Sequence, residues 1–295
     1  AFLEAHLKGP GIMVGVRTKE LHVVVEGKGP PGVLFISGMG DDHRTWARLA
    51  NRLSDSARVV SYDRPGLGWS QPTPEEPGLV QAVADARALL MNSDLFPRPP
   101  VVVGHSLGGL IARQLAFEYP ELVSGLVLLD PTPPEMPGAM SVVGTLVYRV
   151  TAALGAVGFT RWRFYHTHPD LTREQQLMWG HLNASAARAR QTSRELRGAI
   201  GSAWAPHSAN GLGDLPLTVM TAPAGAPPGM ARAAAEVDAA KRLTAEESRR
   251  GRLVNVKTGH YIHYGDPDAV VAEIVRMFDM VAPNGETKDT VRPAR

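Results

Sequence analysis

The sequence predicts an α/β fold, a mostly parallel sheet with helices as the crossovers. Short β-rich runs alternate with helical patterns over most of the chain, as parallel strands joined by helices require. Several runs, such as Val101-Val102-Val103, are continuously apolar, which marks strands covered on both faces. A chain of 295 residues, 44% of them apolar, buries enough surface to need no staples.

Strands are expected at 21–25, 32–36, 57–62, 101–104, 123–129, 215–221 and 252–256, and helices at 46–53, 78–91, 107–118 and 267–280. The last helix has a readable start, with Asp266 as N-cap, Pro267 at the first helical position and Asp268 in the first turn. The alternation breaks between residues 131 and 213. That segment opens on Pro131-Thr132-Pro133-Pro134 and carries a helical pattern over 173–203, with Thr172 and Gln175 as a capping box at its start. An insertion of this length between parallel strands reads as a helical lid. The expected division is therefore a core of 1–130 and 214–282, a lid of 131–213 and a polar tail of 283–295.

Composition narrows the function. With no cysteine, disulfide frameworks, thiolate zinc sites, iron–sulfur clusters and a cysteine nucleophile are excluded. Lys plus Arg number 31 against 29 Asp plus Glu, and the basic residues are scattered, so no nucleic-acid partner is expected. Ala1-Phe2-Leu3-Glu4 has neither the basic nor the apolar run of a secretory signal. The stretch 139–160 has spanning length, yet Gly144, Gly155, Gly158 and Arg149 make it a buried or interfacial helix, leaving membrane-surface contact open.

Gly104-His105-Ser106-Leu107-Gly108 carries the most chemistry. It follows an apolar strand and opens a helical pattern, the strand, sharp turn and helix that push a serine hydroxyl above a sheet. Such a turn strains the serine backbone, and the flanking glycines leave it room. A serine hydroxyl needs a base, and histidine suits that role. His260 lies between the strand 252–256 and the last helix, at the sheet's carboxyl edge; His263 is its rival. His6, His22, His181 and His207 read as surface histidines, and Asp41-Asp42-His43 as a solvated loop. His166-Thr167-His168 lacks further ligands, Gly38-x-Gly40 lacks the third glycine of a dinucleotide fingerprint, and no phosphate-cradling Gly-x4-Gly-Lys-Ser/Thr loop occurs. No metal and no cofactor are expected.

Three further segments occur in order with that turn: Phe35-Ile36-Ser37-Gly38-Met39-Gly40 with Trp46 following, Tyr62-Asp63-Arg64-Pro65-Gly66-Leu67-Gly68-Trp69-Ser70, and Gly259-His260-Tyr261-Ile262-His263. Together they resemble the α/β-hydrolase superfamily over nearly the whole chain. Ser37 departs from the histidine that many members carry there. The resemblance implies a serine hydrolase acting on a carboxylic ester, thioester or lactone, with Ser106 as nucleophile, His260 as base, and the Leu107 and Met39 backbone N–H groups as oxyanion donors. Most members place the orienting acid after the strand that follows the lid, but 222–228 offers no carboxylate. Asp130 closes the strand before, where some members place it; Glu236 and Asp238, in helical, Ala-rich surroundings, stay open as alternatives. The lid residues Tyr148, Trp162 and Phe164 either line the pocket or hold the lid to the core. The expected partner is a lipophilic small-molecule acyl ester. Carbon–carbon bond hydrolysis, acyl transfer and non-catalytic ligand binding use the same framework and stay open.

Overall fold

The computed structural model describes residues 9–74, 77–135, 186–201, 204–222 and 231–282. Its strands are β1 Ile12–Val16, β2 Lys19–Glu26, β3 Gly32–Ile36, β4 Arg58–Tyr62, β5 Val101–His105, β6 Gly125–Leu129, β7 Leu217–Thr221 and β8 Gly251–Asn255. They form one sheet in the order β1-β2-β4-β3-β5-β6-β7-β8. β2 runs antiparallel to both β1 and β4, and the remaining pairs are parallel. The seven expected strands are present, and β1 is an addition. Its Ile12 and Met13 are exposed, because β1 is an edge strand held by β2 through the register Val16↔Lys19; it never needed a continuous apolar run.

The helices are α1 Ala47–Leu53, α2 Leu79–Leu90, α3 Leu107–Glu118, α4 Ala186–Gly201, α5 Ala231–Glu246, α6 Ile262–Gly265 and α7 Pro267–Val281. α7 starts as its sequence requires: the Asp266 carboxylate accepts the Ala269 N–H at 3.0 Å. α4 lies within the expected 173–203 helix. The start of that range, the stretch 139–160 and the tail 283–295 lie outside the described residues. No helix among the described residues is long and apolar enough to cross a membrane.

Successive strand residues point to opposite faces, and here both faces are covered. Leu34, Ile36, Val102 and Leu126 pack with Val83 and Leu89 of α2 and Leu110 and Ile111 of α3. Val33, Phe35, Val101 and Val127 pack on the other side with Leu49 and Leu53 of α1 and Ile274 and Phe278 of α7. This two-sided burial is why the central strands are apolar without alternation. The register then sets β3, β5, β6 and β7 level at one edge, with Ile36 opposite Gly104, His105 opposite Leu129, and Leu129 opposite Met220.

A buried ion pair sits beside this packing. Arg113 of α3, 2% exposed, donates Nε to Glu247 Oε2 at 2.7 Å and its terminal nitrogens to the carbonyls of Ala205 at 2.8 Å and Pro206 at 3.0 Å. Burial penalises the Glu247 carboxylate, but hydrogen bonds from His207 and Arg113 outweigh that and hold its pKa below the ordinary 4.5. Removing one partner of a buried pair strands the other. Glu247→Gln should therefore lower unfolding free energy by about 3 kcal/mol near neutral pH. A depressed carboxylate stabilises fully above its unfolded pKa and loses that contribution as pH falls through the folded value. The difference from wild type in urea titrations should accordingly be full above pH 4.5 and shrink below it.

Candidate active site

Ser106 stands between β5 and α3 with φ 53° and ψ −119°, a left-handed conformation that an L residue adopts only under constraint. The constraint is crowding. A Cβ on Gly104 would lie 2.4 Å from Gly108 O, and one on Gly108 would lie 2.1 Å from Ile36 O. Glycine at both positions lets α3 start directly against β3 and β5. The turn is locked from below, since Ser106 N–H donates to Leu129 O at 3.0 Å and Ser106 O accepts the Thr132 N–H at 3.0 Å.

Asp130 follows β6, the neighbour of β5, and also has positive φ, 42°. Its Oδ2 lies 2.6 Å from His260 Nδ1. His260 itself comes from the loop between β8 and α6, and its carbonyl accepts a 3.0 Å hydrogen bond from His105 Nε2. The His105 and His260 rings lie 4.7 Å apart between centroids. Ser106, Asp130 and His260 thus converge on one sheet edge from three separate elements. Neither Ser106 Oγ nor His260 Nε2 is hydrogen-bonded among the described residues.

The electrostatics distinguish the three histidines. Burial, reinforced by His263 and His260, pushes His105 well below its ordinary pKa. Burial also pushes His263 down to about 3, with His260 adding to the effect. Both are neutral at physiological pH, and neither His263 nitrogen has a hydrogen-bond partner among the described residues. The rival His263 therefore packs behind the site, edge-on to His105 at 4.7 Å. For Asp130, burial works against ionisation, yet the His260 hydrogen bond and the Lys241 ammonium hold its pKa below the usual carboxylate value.

The loop after β3 faces the same edge. Gly38 has no space for a Cβ, which would sit 2.8 Å from His105 Nδ1. Arg64 fixes the loop by donating to Ser37 O at 2.6 Å and Gly38 O at 2.7 Å. Arg64 in turn pairs with Glu195 of α4 at 2.6 Å, and Glu195 accepts the Gly40 N–H at 2.8 Å. Met39 and Leu107 line one cavity of about 270 Å³ together with Leu110, Leu196, Ile200 and Trp204. Leu107 is the first residue of α3, so its N–H has no acceptor within the helix.

A family profile described as "Alpha/beta hydrolase family" matches residues 33–273. The chain belongs to the alpha/beta hydrolase family. Lipase LipV of Mycobacterium tuberculosis is 37% identical over 139 residues, covering 46% of this chain and 48% of that protein. The uncharacterized protein YbdG of Bacillus subtilis is 29% identical over 161 residues, covering 53% and 49%. The matched regions thus span about half the length of these relatives. The enol-lactonase of Burkholderia xenovorans LB400 superposes with a TM-score of 0.70 at 20% identity, over 91% of this chain and 100% of that one, a likeness of fold.

Within this alpha/beta hydrolase the other sequence candidates separate. Glu236 is turned to Arg232 on the outer face of α5, 3.0 Å away, and Asp238 lies 3.7 Å from Lys241; neither meets His260. Tyr148, Trp162 and Phe164 lie outside the described residues, as do His6 and His181. Two expectations fail. His22 is buried, not on the surface: its Nδ1 bonds Asp63 Oδ2 at 2.8 Å because the inner face of β2 packs on the loop after β4. Asp42 and His43 are likewise buried rather than solvated, Asp42 against Arg44 at 2.8 Å and His43 against Asp63 at 2.8 Å. The ligand-capable atoms of His22, His43 and Asp63 lie within 4.8 Å of one another. Asp63, however, already accepts from both rings and from the His43 and Trp69 N–H groups, which makes the cluster a hydrogen-bonded knot. Lys241, whose Nζ lies 2.6 Å from Asp130 Oδ1, is a neighbour of this carboxylate that no sequence motif marks.

The crowding at the turn gives a direct test. Gly108→Ala forces a Cβ against a backbone carbonyl that cannot swing away. It should cost about 3 kcal/mol of stability, read from the urea midpoint, whereas Gly259→Ala, with nothing within 4 Å, should cost far less.

Proposed function

We propose that this alpha/beta hydrolase is a serine hydrolase of carboxylic esters, with thioesters and lactones as close variants, working through an acyl-enzyme. The carrying observation is the 2.6 Å bond between His260 Nδ1 and Asp130 Oδ2, made at the sheet edge where Ser106 is held in its strained turn. With Nδ1–H given to the carboxylate, the imidazole presents Nε2 as the base. In this reading Ser106 Oγ attacks the carbonyl carbon as Nε2 takes its proton. The negative oxygen that forms is met by the Met39 and Leu107 N–H groups. His260 then returns the proton to the leaving alcohol, and water repeats the sequence to release the acid. The hydroxyl-to-imidazole bond belongs to the substrate complex, as such bonds often tighten only there.

The cavity bounded by Met39 and Leu107 supports an apolar acyl group, because Leu110, Leu196, Ile200 and Trp204 form its walls. Its size, about 270 Å³, lies at the lower edge of small-molecule sites. A second, much smaller cavity of about 40 Å³ shares Leu107, Ala199 and Trp204 with it and is lined beyond them by Arg64, Asp85 and Glu195. Trp204 is the largest side chain between the two, anchored by its Nε1 donating to Ala199 O at 2.9 Å. The segment 131–213 acts as the lid, and α4 is the part of it seated on the oxyanion loop through Glu195. LipV and the enol-lactonase, by their names, act on lipids and on enol-lactones, in keeping with acyl chemistry here.

Ser106→Ala should reduce p-nitrophenyl butyrate turnover at least about 10⁴-fold and abolish fluorophosphonate labelling. Folded wild-type protein that neither turns over acyl esters nor takes the label would sink the proposal. Asp130→Asn should lower kcat by about 10³- to 10⁴-fold, while Glu236→Gln leaves it within about twofold. Equal losses in both variants would reassign the acid. Across p-nitrophenyl acetate, butyrate, octanoate and palmitate, kcat/KM should be higher for octanoate than acetate, and Trp204→Ala should move the optimum to longer chains. An unchanged profile in Trp204→Ala would remove the two cavities from the acyl site.

A further inference from the structure

The Asp130 carboxylate has two oxygens and two short partners. His260 takes Oδ2, and Lys241 of α5 places its Nζ 2.6 Å from Oδ1. The remaining contacts of Oδ1 are long, 3.4 Å from Ala222 N–H and 3.5 Å from Thr221 Oγ1. Lys241 and Asp130 are 8% and 7% exposed. A lysine is almost never buried without a partner, because its ammonium is costly to desolvate. An alanine there would leave the buried Oδ1 with only its long contacts to Ala222 and Thr221.

We propose that Lys241 is a positioning residue of the acyl-transfer site, holding the Asp130 oxygen that His260 leaves free. This rests on the Ser106, His260 and Asp130 reading above. Two effects follow. A carboxylate pinned at Oδ1 cannot rotate, so Oδ2 stays aimed at Nδ1 and His260 keeps the tautomer with Nε2 unprotonated. The ammonium also balances the carboxylate. Before reaction the Asp130–Lys241 pair is neutral overall.

Among the described residues that face this network, Lys241 supplies the positive charge. His105 and His263 face His260 as neutral rings, Tyr261 packs against the same rings and donates to Asp41 at 3.5 Å, and Asp238 lies 3.7 Å from Lys241. Without the ammonium, the carboxylate would act on His260 unopposed and keep its imidazole protonated to higher pH.

The test uses the intact chain with p-nitrophenyl butyrate. Lys241→Met should lower kcat about 10-fold, the worth of one charge-assisted hydrogen bond, with KM nearly unchanged. The acidic limb of its kcat/KM profile should move up by about half to one pH unit. Lys241→Arg should restore most of both. In an Asp130→Asn background, Lys241→Met should have no further effect on kcat, because the residue acts through Asp130. A loss of the same factor in both backgrounds, with the acidic limb unmoved, would show a purely structural lysine and overturn the proposal. Should circular dichroism show Lys241→Met unfolded, Lys241→Gln, which keeps a donor without the charge, reads the same limb: a shift supports the proposal and an unmoved limb overturns it. Fluorophosphonate labelling of wild type separates the two layers. An unlabelled, inactive wild type defeats the esterase reading, whereas a labelled, active one with Lys241→Met unaltered defeats Lys241 alone.

Discussion

The start of α3 is crowded from two sides, and the arrangement around it depends on that crowding. With Gly108 against the Ile36 carbonyl and Gly104 against the Gly108 carbonyl, a single residue, Ser106, separates the strand from the helix. Ser106 is left no relaxed conformation. The same close fit puts the free Leu107 N–H at the sheet edge, beside the loop that carries Met39. A strained residue persists only where its surroundings over-determine it, and here the Leu129 and Thr132 backbone bonds do so. The strain, the exposed helix terminus and the level strand ends are one piece of geometry.

Around that fixed point, buried charges organise what the sheet cannot. The loops after β3 and β4 have no ladder to satisfy their backbone groups, and such groups need partners when buried. Arg64 supplies two of them, Glu195 a third, and the Arg188 guanidinium another at Gly40 O. Each of these ions is itself paired, Arg64 with Glu195 and Arg188 with Asp42. Pairs of this kind contribute little net stability; their value lies in placing two loops and α4 in one arrangement. The Asp63 knot with His22 and His43 joins β2 to the same loops, and the Asp130 carboxylate repeats the scheme with His260 on one oxygen and Lys241 on the other.

Much of this was legible because local signals and global fold agree. The apolar runs of β3 to β7 read as covered strands since packing on both faces demands it, and Asp266-Pro267 marks the start of α7 through backbone chemistry alone. The order of glycines around Ser106 exposed the turn for the same reason. The edge strand β1 was not legible, because pairing with β2 and not its own composition makes it a strand. His22 and the Asp42-His43 pair were misread for a related reason. A polar side chain in a loop or edge strand looks solvated until a partner distant in sequence, here Asp63 or Arg188, reaches it.

The acid shows the division most plainly. The sequence by itself determined that a serine stands on a sharp turn after a buried strand and that His260 precedes the last helix. It also determined that no carboxylate follows β7 within 222–228. Among Asp130, Glu236 and Asp238 it could not choose, since the distance between a loop after β8 and the end of β6 is not written in either segment. The tertiary structure decided that His260 meets Asp130 and that Asp238 and Glu236 face other partners. It also decided that Lys241, one turn beyond Asp238, closes on the other carboxylate oxygen. Spacing along the chain fixes helices and strands because their bonds are local, whereas the meeting of buried charges is fixed by the sheet register and helix packing that bring remote residues together.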